Sequence, residues 1–443
     1  MTARPNILFV LSDQQRHDTL GCYGQRLAVT PNLDRLAAEG VRFEHAFTCQ
    51  PVCGPARACL QTGVYATENG CFTNNRALRE DAVTIAKLLG EVGYETAYVG
   101  KWHLSSDAEH RYRTQATPPA RRGGYRDYWV AADTLEFTSH GYEGYMFDGE
   151  GKRVDWEGYR VDRTADFMLD YLRDYAGRAP DRPFFAFLSF IEPHHQNDLN
   201  RYVGPIGSKQ RFKDHEVPGD LAGTDGDWRQ HYPDYLGCCA SIDENVGRLR
   251  AELQRLGLAD NTLIIYSSDH ASHFRTRNGE YKRSCHDNSI RVPLVMCGPG
   301  FVGGQVRDEL VSLIDLPATV LTAAEVDVPA QMRGNPLQDL VSGGAVDWPQ
   351  EVFVQISESQ VGRAVRTAGW KYGVVAPDLD GGSAMGSGRY VEAYLYDLQA
   401  DPYERDNRAA DPNLAEVRAE LAATLKRRML DAGEAEPVIE PCA

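Results

Sequence analysis

The sequence predicts an α/β fold: a large, mostly parallel sheet sandwiched by helices, with a smaller C-terminal α+β subdomain. Three observations lead there. Short apolar runs recur, each followed by polar residues or glycine and then by helical periodicity, the pattern of parallel strands covered on both faces. The chain has 443 residues, 42% hydrophobic and 25% charged, enough for a large buried core. Past about Ala345 the pattern changes to short strand-like pieces ending in a helix.

The runs read as strands are residues 6–11, 96–100, 184–190, 263–267 and 293–297, and amphipathic helices are expected over 32–39, 81–92, 164–175 and 235–256. Residues 111–159, rich in Gly, Tyr, Trp and Arg with weak periodicity, and 197–228 read as long surface insertions, the usual place for substrate selection. In the C-terminal part, strands are expected over 352–356, 371–375 and 393–396 and a helix over 414–430. The expected division is a catalytic domain of residues 1–345 and a subdomain of residues 346–443.

Lys and Arg total 47 against 63 Asp and Glu, a net charge of −16, which argues against nucleic acid or an anionic membrane as partner. An acidic protein that binds an anion must gather its cations at one place. The apolar run at residues 7–11 is short and is followed by Asp13, so neither a signal-peptide core nor a membrane span is read, and a cytoplasmic protein is expected, or a periplasmic one if a leader was removed. The ten cysteines lack zinc-ribbon spacing and read as mostly reduced and buried, Cys238-Cys239 as packing.

In an open α/β sheet ligands bind beyond the carboxyl ends of the strands. The residues just past those ends are Asp13, Lys101 with His103, His194, and Asp269 with His270, so four strands deliver acids, bases and cations to one edge. Cys53-Gly54-Pro55-Ala56-Arg57 adds a candidate helix start: Pro55 suits a first turn and Gly63 a helix end, putting Cys53 where free N–H groups favour an anion. By itself the segment equally describes a buried cysteine at a helix start.

Cys-x-Pro-x-Arg resembles the signature of the formylglycine-dependent (type I) sulfatases of the alkaline-phosphatase-like superfamily. The stretch from Asn6 to Gln15 resembles that family's first strand with its metal-binding end, residues 30–36 the helix that follows, and Ser267-Ser268-Asp269-His270 the second metal-binding turn. Gly100-Lys101-Trp102-His103, Pro193-His194 and Lys282 also match family segments, as do residues 312–317 and 396–404, which read as structural. The resemblance spans nearly the whole chain.

It implies that a separate formylglycine-generating enzyme oxidises Cys53, and that one divalent cation is held by Asp13, Gln14, Asp269, His270 and the modified Cys53. Calcium is the first choice because the ligands are mainly hard oxygens; the histidine keeps magnesium, manganese and zinc open. Where the commoner pattern is Asp-Asp, this chain has Asp13-Gln14, which lowers the ligand charge, and Gln196 replaces the proline usual two residues past His194.

The implied reaction is sulfate-ester hydrolysis. An oxygen of the hydrated formylglycine attacks sulfur, Lys101 and Lys282 hold the sulfuryl oxygens, and Arg57 supports the nucleophile. His194 or Lys282 protonates the leaving alcohol, and His103 acts as base when sulfate departs. The alcohol half is read as a sulfated carbohydrate, with Trp129, Tyr142, Tyr145 and Trp156 able to stack on sugar rings or simply to pack; an aryl or alkyl sulfate stays open. The alternatives are a phosphonate monoester or phosphodiester hydrolase of the same superfamily, and a non-catalytic metal- and anion-binding protein with unmodified Cys53.

Overall fold

The computed structural model describes residues 4–107, 109–178, 181–343 and 347–442; the expected domain junction at 345/346 lies outside them. Sixteen strands occur among the described residues. In chain order they are β1 (Asn6–Ser12), β2 (Val41–Phe47), β3 (Glu95–Lys101), β4 (Tyr128–Ala132), β5 (Glu143–Phe147), β6 (Arg153–Glu157), β7 (Phe184–Ser189), β8 (Thr262–Ser268), β9 (Arg291–Val292), β10 (Leu294–Cys297) and β11 (Gln305–Ser312), followed by β12 (Glu351–Ile356), β13 (Gly362–Thr367), β14 (Trp370–Val375), β15 (Arg389–Asp397) and β16 (Val438–Glu440).

The first eleven form one sheet in the order β11-β2-β10-β8-β1-β7-β3-β4-β5-β6, with β9 on β2. Its centre, β8-β1-β7-β3-β4, is parallel throughout. Both faces are covered: Ile7, Phe9 and Leu11 of β1 join one core cluster, while Leu8 and Val10 join the other. That two-sided burial is why the central strands read as unbroken apolar runs. The helices Pro31–Glu39, Arg160–Gly177 and Trp228–Arg255 cover one face, and Ile85–Glu91 and Asp315–Ala323 the other.

Three expectations are corrected. Residues 111–159 are not a surface insertion throughout; they contribute β4 to the parallel centre and the antiparallel pair β5–β6 to the edge. The run at 293–297 does form β10, but antiparallel to β8 and β2. The helix expected over 81–92 begins only at Ile85, because the Thr84 side chain caps it by accepting the Lys87 N–H.

β12 to β15 form an antiparallel sheet completed by β16, against which the helix Ala415–Asp431 packs Leu421, Leu425 and Met429. Among the described residues no helix is long and apolar enough to cross a membrane.

Candidate active site

The parallel strands β1, β3, β7 and β8 end at one edge, and so does β2, because two antiparallel steps through β10 restore its direction. From β2 the chain runs into the helix Cys53–Thr62, whose end is set by Gly63 in the left-handed region. Cys53 is its first residue and is buried. Gly100 is required just before Lys101: its φ is +105°, and a Cβ there would lie 1.9 Å from the Ser189 carbonyl oxygen.

Cys53 Sγ lies 2.7 Å from Lys282 Nζ, 3.2 Å from His270 Nε2 and 3.5 Å from Asp13 Oδ1. Lys282 Nζ is also 3.2 Å from His194 Nε2 and 3.1 Å from His270 Nε2. The Nδ1 atoms of His194 and His270 face backbone carbonyls, at 2.6 and 2.9 Å. A proton on Nδ1 in each leaves Nε2 free to accept toward the site. His103, with φ of +60°, lines the same cavity as Cys53.

Arg57 does not reach Sγ. Its guanidinium donates to Asp13 Oδ2 (3.0 Å), Asp269 Oδ2 (3.1 Å), the Lys101 carbonyl (2.9 Å) and Ser189 Oγ (2.6 Å). It therefore orients two carboxylates beside position 53. Lys101 Nζ pairs with Asp13 Oδ2 at 2.8 Å and with Glu136 at 3.3 Å.

Burial opposes ionisation of Cys53, but Lys101, Lys282, His270 and His103 overcome it and hold the thiol well below its ordinary range. Burial likewise works against the Asp13 carboxylate and is outweighed by Lys101, His194 and Arg57, so its pKa falls. Asp269 is pushed upward by burial and by Asp13. Anionic charge is thus favoured at position 53, at the centre of the cations.

Asp13, Cys53, Asp269 and His270 offer ligand atoms that all lie within 4.8 Å of one another, fully buried. Gln14 supplies the deciding test. Its φ is +72°, its N–H donates to Asp269 Oδ1 at 3.1 Å, and its side-chain NH2 donates to Tyr202 (2.9 Å) and Ser272 (3.2 Å). Among the described residues Oε1 is left buried with no partner. An orphaned buried carbonyl beside two carboxylates fits a hard divalent cation, which would restore the acceptor's missing contact.

The family model Sulfatase matches residues 5–326, and the model N-sulphoglucosamine sulphohydrolase, C-terminal, matches residues 279–431. The chain belongs to the sulfatase family. It is 31% identical to the uncharacterized sulfatase YidJ of Escherichia coli strain K12 (94% of this chain, 86% of that one) and 30% identical to an ulvan-active sulfatase of Formosa agariphila (97% and 82%). It is 26% identical to the N-acetylglucosamine-6-O-sulfatase of Bacteroides thetaiotaomicron (96% and 86%). The fold is shared with the yidJ protein of Bacteroides fragilis (TM-score 0.84, 23% identity, 98% and 97% covered). It is shared too with a structure in complex with its substrate D-glucosamine-2-N,6-O-disulfate (TM-score 0.79, 23%, 98% and 99%) and with a phosphonate monoester hydrolase of Agrobacterium radiobacter (TM-score 0.74, 22%, 97% and 96%).

The protein is thus a sulfuric ester hydrolase, and sulfatases as a family use a metal and a formylglycine, for which the buried quartet is suited. The candidate catalytic and metal-ligating residues Asp13, Gln14, Cys53, Arg57, Lys101, His103, His194, Asp269, His270 and Lys282 lie together at this edge. A cavity of about 60 Å3, lined by Cys53, Gln14, His103, His194 and Lys282, lies over it, several times the space one water needs.

Sequence reasoning missed Glu136, Asn74, Tyr202 and Ser272. Glu136 pairs Lys101, and Asn74 Oδ1 accepts the Gly54 N–H at 3.0 Å. Tyr202 and Ser272 fix the Gln14 amide. Only Ser272, three residues past Asp269, had a local signal; the others come from loops far along the chain. Gln196, in place of the expected proline, ties loops together: it accepts from Arg160 and donates to the Glu136 carbonyl and to Asp198.

Of the four aromatic residues read as stacking on sugars or simply packing, two pack. Trp129 is buried against Tyr98 and Trp102, and Trp156 is buried with Val130, Leu135 and Met146. The Tyr142 hydroxyl accepts the Ile206 N–H.

Proposed function

We propose that this sulfatase removes sulfate from a sulfated carbohydrate, with calcium as its cation and a formylglycine made from Cys53. Four ligands, Asp13, Gln14, Asp269 and His270, offer three oxygens and one nitrogen, a set hard enough to favour calcium. The formylglycine supplies an oxygen nucleophile at position 53. Because Cys53 is 1% exposed in the folded chain, the maturation enzyme must reach the motif before the helix Cys53–Thr62 packs.

The observation that carries this reading is Lys282, whose ammonium lies 2.7 Å from Cys53 Sγ and beside His194 with no carboxylate partner among the described residues. A cation so placed holds a sulfuryl oxygen as charge builds on it. Lys101, its ammonium fixed by Asp13, adds positive charge to the same site. The Lys282–His194 pair protonates the leaving alcohol, the Lys282 ammonium being its proton-bearing member, and His103 accepts a proton when sulfate departs. The saccharide assignment is supported by the ulvan-active and N-acetylglucosamine-6-O-sulfatase relatives and by the glucosamine disulfate complex among the structural neighbours.

Sulfate release from a panel of sulfated sugars, beside an aryl sulfate, an aryl phosphonate and a phosphodiester, tests it. Release from at least one 6-O-sulfated amino sugar is expected, with the aryl sulfate ahead of both phosphorus esters. Turnover confined to simple aryl esters removes the carbohydrate, and a faster phosphonate reverses the choice between ester classes. Intact mass spectrometry reads the modification, since formylglycine is lighter than cysteine, and elemental analysis names the cation.

A further inference from the structure

A cleft of about 710 Å3 lies beside the catalytic cavity, and Glu136 and Asn197 belong to the walls of both. It is bounded by β5, β6, the turn Leu135–Phe137 and the turn Asn197–Leu199. Whatever is attached to a sulfuryl group held at Cys53 has this cleft next to it.

The cleft has the makings of a saccharide site. Phe137 is 51% exposed, and the Tyr145 ring is held by Arg153, whose guanidinium lies 3.7 Å from its centre. Aromatic side chains in the wall of a cleft suit the apolar face of a sugar ring.

Its charge is distinctive. Arg153 is used by Asp155 at 2.5 Å, and His140 by Asp198 at 2.7 Å. Glu143 and Glu157 have no ion-pair partner among the described residues, and they are direct register partners across β5–β6. Like charges facing each other across an antiparallel pair weaken it. Folding gains nothing from this pair, whereas a cationic ligand would.

We propose that this cleft receives the remainder of the sulfated saccharide and selects by charge, favouring an amino sugar with a free ammonium, accepting a neutral acylated one and rejecting one that carries further sulfate. The proposal rests on the carbohydrate reading above. The cations around Cys53 attract the ester being cleaved, and the carboxylates of the cleft repel any second anion, so the two zones together pick out singly sulfated chains.

The test compares kcat/KM for three oligosaccharides with the same glucosamine 6-sulfate ester and different substituents on nitrogen: a free amine, an acetyl group and a sulfo group. The free amine is expected to lead and the N-sulfo form to trail by roughly tenfold or more, mainly through KM, as like-charge juxtaposition predicts. In the double variant Glu143→Gln/Glu157→Gln that gap should shrink to about threefold or less on the same ground. Its Tm should be at or above the parent's, because two facing carboxylates are gone. An N-sulfo substrate cleaved as well as the free amine, or a gap unchanged in the variant, overturns the proposal and leaves the carbohydrate reading standing. If none of the three releases sulfate while an aryl sulfate is turned over, both fall. If the variant does not fold, the ranking in the parent enzyme decides.

Discussion

Two clusters of buried charge use the same residue types to opposite ends. Where the two sheets meet, Lys371 on β14 contacts both Asp287 and Glu404, Arg366 reaches Asp287 at 3.3 Å, and Glu404 accepts the Asp287 N–H at 2.7 Å. Every cation there has a carboxylate, so no charge is left to offer. Beneath Cys53, Arg57 and Lys101 also have carboxylate partners, but among the described residues Lys282 faces only a thiol and two imidazoles, and the Gln14 carbonyl has no partner. A closed network is a joint between parts of the fold; an open one is a place where a ligand completes the set.

The sharpest break between the two comes from Cys53→Ala. Sulfate release should fall on the order of 10^4-fold or more, since a nucleophile is lost, while far-ultraviolet circular dichroism stays that of the parent. A variant that kept its turnover would mean that the open cluster is not the catalytic one.

At the closed cluster the loss should be in stability. Lys371→Met strands Asp287 and Glu404 without their shared ammonium and should cost about 3–5 kcal/mol in denaturant unfolding, the scale of a broken buried pair. Turnover per folded molecule should be unaltered. At the open cluster Lys282→Ala should behave in the reverse sense, lowering kcat on the order of 10^2 to 10^3-fold, as removal of one transition-state donor does, with little change in Tm.

Glu136 sits where the open cluster meets solvent and gives a pH signature. Burial works against its carboxylate, but Lys101, His194 and His103 bring its pKa down to about 2 from the ordinary 4.5. A depressed acid stabilises the fold above its unfolded pKa, and that contribution is lost as pH falls from about 4.5 through about 2. The stability advantage of the parent over Glu136→Gln should shrink by about 3 kcal/mol across that window, read from urea unfolding at each pH. An advantage independent of pH would mean that Lys101 does not depend on Glu136.

The smallest effect concerns the cation. Calcium at 100 times its Kd should stabilise chelator-treated protein by about 2.7 kcal/mol, visible as a rise in Tm that Asp13→Asn abolishes and Lys371→Met keeps. A rise that survived in Asp13→Asn would move the ion elsewhere.

The central strands and the catalytic edge were legible for a local reason. β1, β3, β7 and β8 are buried on both faces and carry their functional residues just past their ends, so composition and position point the same way. β2, with the sequence Val-Arg-Phe-Glu-His-Ala-Phe, and β5–β6, with exposed charges between apolar residues, lack that signature. They were found only once their neighbours in the sheet were known. The aromatics of the 111–159 stretch stayed open for a related reason: a Trp in a polar segment reads equally as a surface platform or as packing, and Trp129 is the buried face of a strand.

By itself the sequence determined the α/β class, the strand ends and the chemical groups gathered at them, because hydrophobic periodicity and short motifs are properties of neighbouring residues. Tertiary structure alone decided which of those groups would be left open. Gln14 reaches Tyr202 across 188 positions and Lys282 reaches Cys53 across 229, and only burial of such distant partners against one another can pair Lys371 with carboxylates while leaving Lys282 free for an anion.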